Sequence, residues 1–169
     1  MRLEEVFDNI DILKTNVLFD KECKGITENS RRVKEGFVFC ALRGEKVNGN
    51  KYICSAMENG AICVVTEEEP EENVPFVIVK DARAVFSKLL SNFYSHPERS
   101  FKYCIGVTGT NGKTSTTIML KSIFEKAGYK VGLIGTIETI IGDTHIPANN
   151  TTPESYILQE TFAEMVKEG

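Results

Sequence analysis

The segment Gly106-Val107-Thr108-Gly109-Thr110-Asn111-Gly112-Lys113-Thr114-Ser115 joins small residues, hydroxyls and a single cation in the order that phosphate chemistry requires. Glycines at 109 and 112 let a backbone curl so that successive N–H groups point at phosphate oxygens. A helix opening directly after the loop adds the positive end of its dipole. Lys113 supplies charge for the β- and γ-phosphates and is the catalytic candidate. The Thr114 hydroxyl suits a Mg²⁺ ion, making it the candidate metal residue. Gly109, Thr110, Asn111, Gly112, Lys113, Thr114 and Ser115 are thus the candidate ATP-binding residues. The strict pattern G-x-x-x-x-G-K-[ST] is missed at one place, because Val107 stands where its first glycine belongs. Two function classes follow: an ATP-driven enzyme, or a switch or motor in which hydrolysis changes a partner interface.

The elements around the loop predict a β-strand over Tyr103-Cys104-Ile105-Gly106-Val107 and a helix from Thr114. Leu120, Ile123, Phe124 and Ala127 share one face of that helix and Gly128 stops it. A second strand is expected over Val131 to Thr136, so the segment reads as one βαβ unit. Ile137–Ile141 and Thr144–Ile146 can pair as a hairpin across Gly142-Asp143. Thr152-Pro153 predicts a helix start, with threonine as N-cap and proline at the first helical position. Leu158, Phe162, Met165 and Val166 give that helix an apolar stripe. One such unit with a hairpin and a helix is too little to cover both faces of a nucleotide-binding sheet. The chain therefore reads as a fragment of a longer protein.

Roughly a hundred residues precede the loop, a length that suggests a substrate-holding domain. Phe37–Leu42, Ala61–Val65 and Val74–Val79 read as buried strands. A helical pattern over Lys51–Asn59 separates the first two, and Val85, Phe86, Leu89, Leu90 and Phe93 mark a long helix after the third. Strands alternating with helices indicate an α/β class. Ser95-His96-Pro97 ends the last helix, which gives domains over residues 1–98 and 99–169.

Composition narrows the function classes. The chain has 169 residues, 41% apolar, with a formal net charge of −4. Such a balance offers no footprint for nucleic acid. No apolar run approaches the roughly 18 residues of a membrane span, and the acidic start Met1-Arg2-Leu3-Glu4-Glu5 is unlike a signal peptide. A cytoplasmic protein without membrane insertion is expected. The run Glu67-Glu68-Glu69-Pro70-Glu71-Glu72 reads as a solvated loop. Five cysteines without C-x-x-C spacing, three of them inside apolar runs, read as small buried hydrophobes. His96 and His145 lack a metal-ligating partner nearby in the sequence.

The loop Thr108–Thr117 closely resembles that of the Mur ligases, ATP-dependent enzymes that add amino acids to the peptidoglycan precursor. The first half resembles them independently. Ile26–Phe39 is similar to the family's D-S-R…G-x-x-F segment, with Asn29 in place of the usual aspartate and Ser30, Arg31, Gly36 and Phe39 retained. Gly44, Asn48, Gly49, Tyr52, Ile53, Ala56 and Gly60-Ala61 continue the pattern. Asn150-Thr151-Thr152-Pro153 resembles the N-T-T-P segment of the member that adds the third residue to UDP-MurNAc-L-Ala-D-Glu.

The resemblance implies an N-terminal α/β domain that binds the UDP-MurNAc peptide, followed by the start of a P-loop mononucleotide-binding α/β domain. It implies a ligase of peptidoglycan synthesis working through an acyl phosphate, with ATP and Mg²⁺ as cofactors. UDP-MurNAc-L-Ala-D-Glu and a free amino acid would be its substrates, and a monomer is expected. Ser30 would contact the uridine-diphosphate end, while Asn150, Thr151 and Thr152 would hold the muramoyl peptide near ATP. The family also needs a Mg²⁺-binding glutamate, a modified lysine and a third domain, all of which would lie after Gly169. The 169 residues alone are therefore expected to be inactive. The alternatives are the sister ligase that attaches D-Ala-D-Ala and a nucleotide-binding scaffold that has lost catalysis.

Overall fold

The computed structural model describes residues 1–44, 48–71, 73–148 and 150–169. The chain divides into two compact units, Met1–Ser95 and His96–Gly169.

The first unit is built on a five-stranded sheet. Its elements are α1 (Leu3–Val6), β1 (Ile12–Thr15), β2 (Gly25–Thr27), β3 (Phe37–Cys40), α2 (Ile53–Glu58), β4 (Ala61–Thr66), β5 (Phe76–Val79) and α3 (Ala82–Phe93). The strand order is β1-β5-β4-β3-β2. β2 through β5 are parallel neighbours, and β1 closes the far edge antiparallel to β5. The three apolar runs seen in the sequence are the central strands β3, β4 and β5. Buried on both faces, such strands carry unbroken apolar runs. β1 and β2 are edge strands too short and too polar to show that signal, and sequence patterning missed both.

Alternation along β3 and β4 sorts their side chains onto two faces. Phe39, Ala41, Ala61 and Val64 pack with Val33, Ile53 and Ala56, so α2 covers this face. Val38, Cys40, Cys63 and Val65 lie on the opposite face and are fully buried. α3 packs against β2 and α1. Asp81 caps α3 by accepting the Ala84 N–H at 2.9 Å. The Asn92 amide donates to the Val6 and Asp8 carbonyls at 2.8 and 2.9 Å, tying the end of α3 to α1.

The acidic run is more than a solvated loop. Glu67 Oε1 accepts the Ala82 N–H at the start of α3 at 3.0 Å. Glu68 pairs with Arg43 and Glu69 with Lys14. Glu72 lies outside the described residues.

The second unit contains α4 (Lys113–Lys126), β6 (Leu133–Ile134), β7 (Glu138–Ile141), β8 (Thr144–Pro147) and α5 (Ser155–Glu168). The three strands form an antiparallel sheet in the order β6-β7-β8. The hairpin expected across Gly142-Asp143 is present, with Ile141 opposite Thr144. α5 packs on β7 and on a 3₁₀ turn at Pro97–Ser100, and Phe101 meets Phe162 edge-on with ring centroids 5.1 Å apart.

Three expectations fail here. Residues 103–107 form no strand, and Tyr103 and Ile105 are exposed. The strand expected over 131–136 shrinks to Leu133–Ile134 and pairs antiparallel with β7. The βαβ unit is therefore not closed. A buried parallel strand needs a ladder partner at its side and a covered face, and no described residue of this unit supplies them to 103–107. Thr152 is also not an N-cap, because α5 begins at Ser155 behind Glu154, with no side-chain cap bond. Pro153 accordingly precedes the helix rather than opening it. Cys104 follows its segment into solvent, while Cys23, from a polar stretch, is buried.

Candidate functional site

The phosphate loop depends on two backbone conformations. Gly109 has φ +150° and Gly112 φ +77°, regions that L side chains rarely adopt. Gly112 is the N-cap of α4, and its carbonyl accepts the Thr116 N–H at 2.9 Å in the first turn of the helix. The N–H groups of the first turn, at Lys113, Thr114 and Ser115, then point out of the helix end. That turn contains no acidic residue to compete for an anion. Val107 has no positive φ, so the backbone itself demands no glycine there.

An open cavity of about 270 Å³ lies over this helix end. Thr110, Asn111, Gly112, Lys113, Thr114 and Ser115 line it, and so does Thr136. The Lys113 ammonium donates to the Gly109 carbonyl at 2.6 Å, which draws it across the loop. An ammonium has three protons, so this bond leaves capacity for phosphate oxygens. The site can therefore hold a phosphate chain by backbone amides, one cation and hydroxyls. Thr136 was missed by motif reading. No local motif marks it, since it lies more than twenty residues from the loop in the chain and joins the cavity wall only on folding. Asn150, Thr151 and Thr152 are exposed and are not among the residues lining this cavity.

In the first unit, Ser30 begins a 3₁₀ turn at Ser30–Arg32 just beyond β2 and is 8% exposed. Asn29 caps the turn, its Oδ1 accepting the Arg31 N–H at 3.0 Å. That role needs only an acceptor, so asparagine can fill it in place of aspartate. The Asn29 N–H donates to Thr27 Oγ1 at 3.1 Å, and the Asn59 amide donates to the Ser30 carbonyl at 3.0 Å. The segment thus splits into two jobs. Phe39 is a fully buried core residue, whereas Ser30 sits at a turn outside the carboxyl end of a parallel strand. Asn48 caps a similar turn at Gly49–Tyr52, accepting the Asn50 N–H at 3.0 Å.

Among the described residues no group of three His, Cys, Asp or Glu side chains could hold a metal ion. A Mg²⁺ ion at the loop would take the Thr114 hydroxyl as its protein ligand and complete its shell from phosphates and water. Sites for this ion are commonly built that way. Among the same residues no helix is long and apolar enough to cross a membrane.

Burial raises the pKa of three thiols. It pushes Cys63 up to about 12, and Cys23 rises for the same reason. Burial first, then the neighbouring Cys63 and Glu28, lifts Cys40 well above its ordinary value. These groups stay protonated at neutral pH and serve as core.

Comparison with known proteins covers both units. The family model for "Mur ligase family, catalytic domain" matches residues 22–94, and that for "Mur ligase middle domain" matches residues 107–169. The UDP-N-acetylmuramoyl-L-alanyl-D-glutamate–2,6-diaminopimelate ligase of Caldanaerobacter subterraneus subsp. tengcongensis is 48% identical over 150 residues, covering 88% of this chain and 31% of that protein. The ligase of the same name from Clostridium tetani is 42% identical over 176 residues, covering 100% and 36%. A solved structure of a ligase with this name superposes with a TM-score of 0.76 at 22% identity, covering 100% of this chain and 34% of that one. MurF ligase from Thermotoga maritima, solved in complex with ADP, gives a TM-score of 0.55 at 22% identity, covering 84% and 29%. The chain spans about a third of the length of the curated relatives it matches. With two family models spanning both units, and a glycine-shaped phosphate loop where the second begins, the chain belongs to the Mur ligase family.

Proposed function

We propose that this chain is the substrate-binding domain and the first part of the ATP-binding domain of a peptidoglycan-precursor ligase. The ligase adds the third amino acid to UDP-MurNAc-L-Ala-D-Glu. The incoming amino acid is 2,6-diaminopimelate, as named in the relatives above. Residues 1–98 hold the nucleotide end of the precursor through Ser30. Residues 99–169 bind ATP through Gly109 to Ser115, and Asn150, Thr151 and Thr152 contact the muramoyl peptide. The protein works in the cytoplasm as a monomer, and Mg²⁺ accompanies the nucleotide at Thr114.

A carboxylate oxygen of the precursor attacks the γ-phosphorus of ATP, and ADP leaves. The amine then attacks the acyl carbon, loses a proton and expels phosphate. In this chemistry the loop amides and Lys113 neutralise charge on the transferring phosphoryl group. The loop–helix geometry at Gly112-Lys113 carries the reading, because it presents phosphate donors with no opposing acid. The sister ligase for D-Ala-D-Ala is disfavoured by the Asn150–Pro153 segment.

Titration of the chain with ATP or ADP in Mg²⁺ tests the reading. Lys113→Ala is expected to weaken binding by about a hundredfold, in line with loss of a charge-assisted contact to phosphate. A wild-type chain that binds no nucleotide overturns the proposal. Spanning a third of its relatives' length, the chain alone is expected to release no phosphate when given ATP, UDP-MurNAc-L-Ala-D-Glu and diaminopimelate. Measurable release would show that these residues suffice for catalysis.

A further inference from the structure

Thr136 is, among the described residues, the one part of the phosphate cavity's lining that comes from outside Thr110–Ser115. It sits between β6 and β7 in a turn that is pinned twice. The Gly135 N–H donates to the Glu138 carbonyl at 3.0 Å, and the Ala148 N–H donates to the Ile137 carbonyl at 2.9 Å. The turn is tight enough to need glycine before Thr136, since a Cβ added at Gly135 would lie 3.1 Å from Leu133 Cδ2 and 3.4 Å from the Glu138 carbonyl oxygen. Thr136 itself is exposed, and its hydroxyl has no hydrogen-bond partner among the described residues. Water satisfies such a hydroxyl in an open cavity, and a ligand oxygen can take that water's place.

The lining contains no aromatic side chain on which a base could stack, so the cavity takes phosphates and leaves the nucleoside outside. In a loop of this kind the backbone amides enclose the inner phosphates and the lysine reaches outward to the last one. The outermost phosphoryl group then stands beyond the loop's own amides, against the wall that Thr136 forms. Resting on the reading that the loop binds ATP, we propose that Thr136 is a specificity-determining residue whose hydroxyl donates to the γ-phosphate and distinguishes ATP from ADP. A hydroxyl is neutral and short in reach, so it fixes the γ-phosphoryl group without adding a charge that would hold the β-phosphate of ADP equally well.

Titration of the chain with ATP and with ADP in Mg²⁺ tests this. Thr136→Val exchanges the hydroxyl for a methyl of similar size. It is expected to lower the ratio of ATP affinity to ADP affinity about tenfold, the worth of one hydrogen bond to a charged group, by weakening ATP alone. Thr136→Ser keeps the hydroxyl and should keep the wild-type ratio. Neither variant should move the Tm of the nucleotide-free chain, because the side chain is exposed. The inference is overturned if Thr136→Val keeps the ratio, weakens ATP and ADP alike, or lowers the Tm as loss of an internal partner would. It is also overturned if Thr136→Ser behaves as Thr136→Val does, since the contact would then be made by the methyl group. A wild type that binds neither nucleotide overturns the loop reading together with this inference. Failure confined to the Thr136 variants leaves that reading standing.

Discussion

The candidate sites of the two units are built by different means, and the two units are packed to different degrees. In the first, β3, β4 and β5 are buried almost throughout and both faces of the sheet are covered. In the second, α4 has no buried residue, and only Ile140 and Ile141 are buried hydrophobics among the described residues. Yet the phosphate loop belongs to the second unit. Its donors are backbone amides set by two glycine conformations and one helix start, which are local features. The candidate nucleotide-end site of the first unit depends on neighbouring strands being in register. A binding device made from local backbone geometry can form on a thin core, whereas one assembled from the ends of several strands cannot.

The contrast can be broken by mutation, and the largest effect is expected in the core of the first unit. Phe39→Ala should cost about 3–5 kcal/mol in urea unfolding of that unit, through lost burial and the cavity left behind. A cost below about 1 kcal/mol would mean that the sheet is not the cohesive centre of the unit.

Alkali offers a second probe. A thiol held protonated in the fold and free to ionise at its ordinary 9.0 when unfolded stabilises the chain fully below pH 9.0. That contribution is lost as pH rises toward the folded value, which for Cys63 is about 12. Stability of the first unit should therefore fall above pH 9.0 by about 1.4 kcal/mol per pH unit for each buried thiol. At neutral pH a thiol reagent should modify Cys54 and Cys104, which are exposed, and spare Cys23, Cys40 and Cys63. Rapid labelling of all five would contradict the buried placement.

Helix starts sharpen the comparison at a smaller scale. Asp81→Ala removes a side-chain cap from α3 and should cost about 1 kcal/mol. Glu154→Ala removes no such bond from α5 and should change stability by less than half that amount. Equal losses would show that the cap is not the source of the difference. Smallest of all, Ile123→Ala on α4, where the side chain is 62% exposed, should stay within about 0.5 kcal/mol. A larger loss would reveal a packed face on α4 and erase the contrast.

Legibility followed the range of the interactions. The three central strands, the helix ending before His96, the hairpin over Gly142-Asp143 and the phosphate loop were all readable, since each leaves a pattern within a few residues. The edge strands β1 and β2 were not. Ile12–Thr15 is mostly exposed, and Gly25–Thr27 is only three residues long. The run over 103–107 misled for the opposite reason, being apolar enough for a buried strand but having no ladder partner among the described residues.

By itself the sequence determined the family and singled out the loop as the candidate phosphate site. Glycines at 109 and 112, Lys113, and the separated Ser30 and Asn150–Pro153 segments are local facts of residue type and order. Only the tertiary structure decided that Thr136 joins the loop cavity and that Asn29 serves as a turn cap. Those outcomes depend on which distant segments share a register or a cavity wall. No local pattern encodes that, because hydrogen-bond satisfaction and burial are settled only when the neighbouring strands are in place.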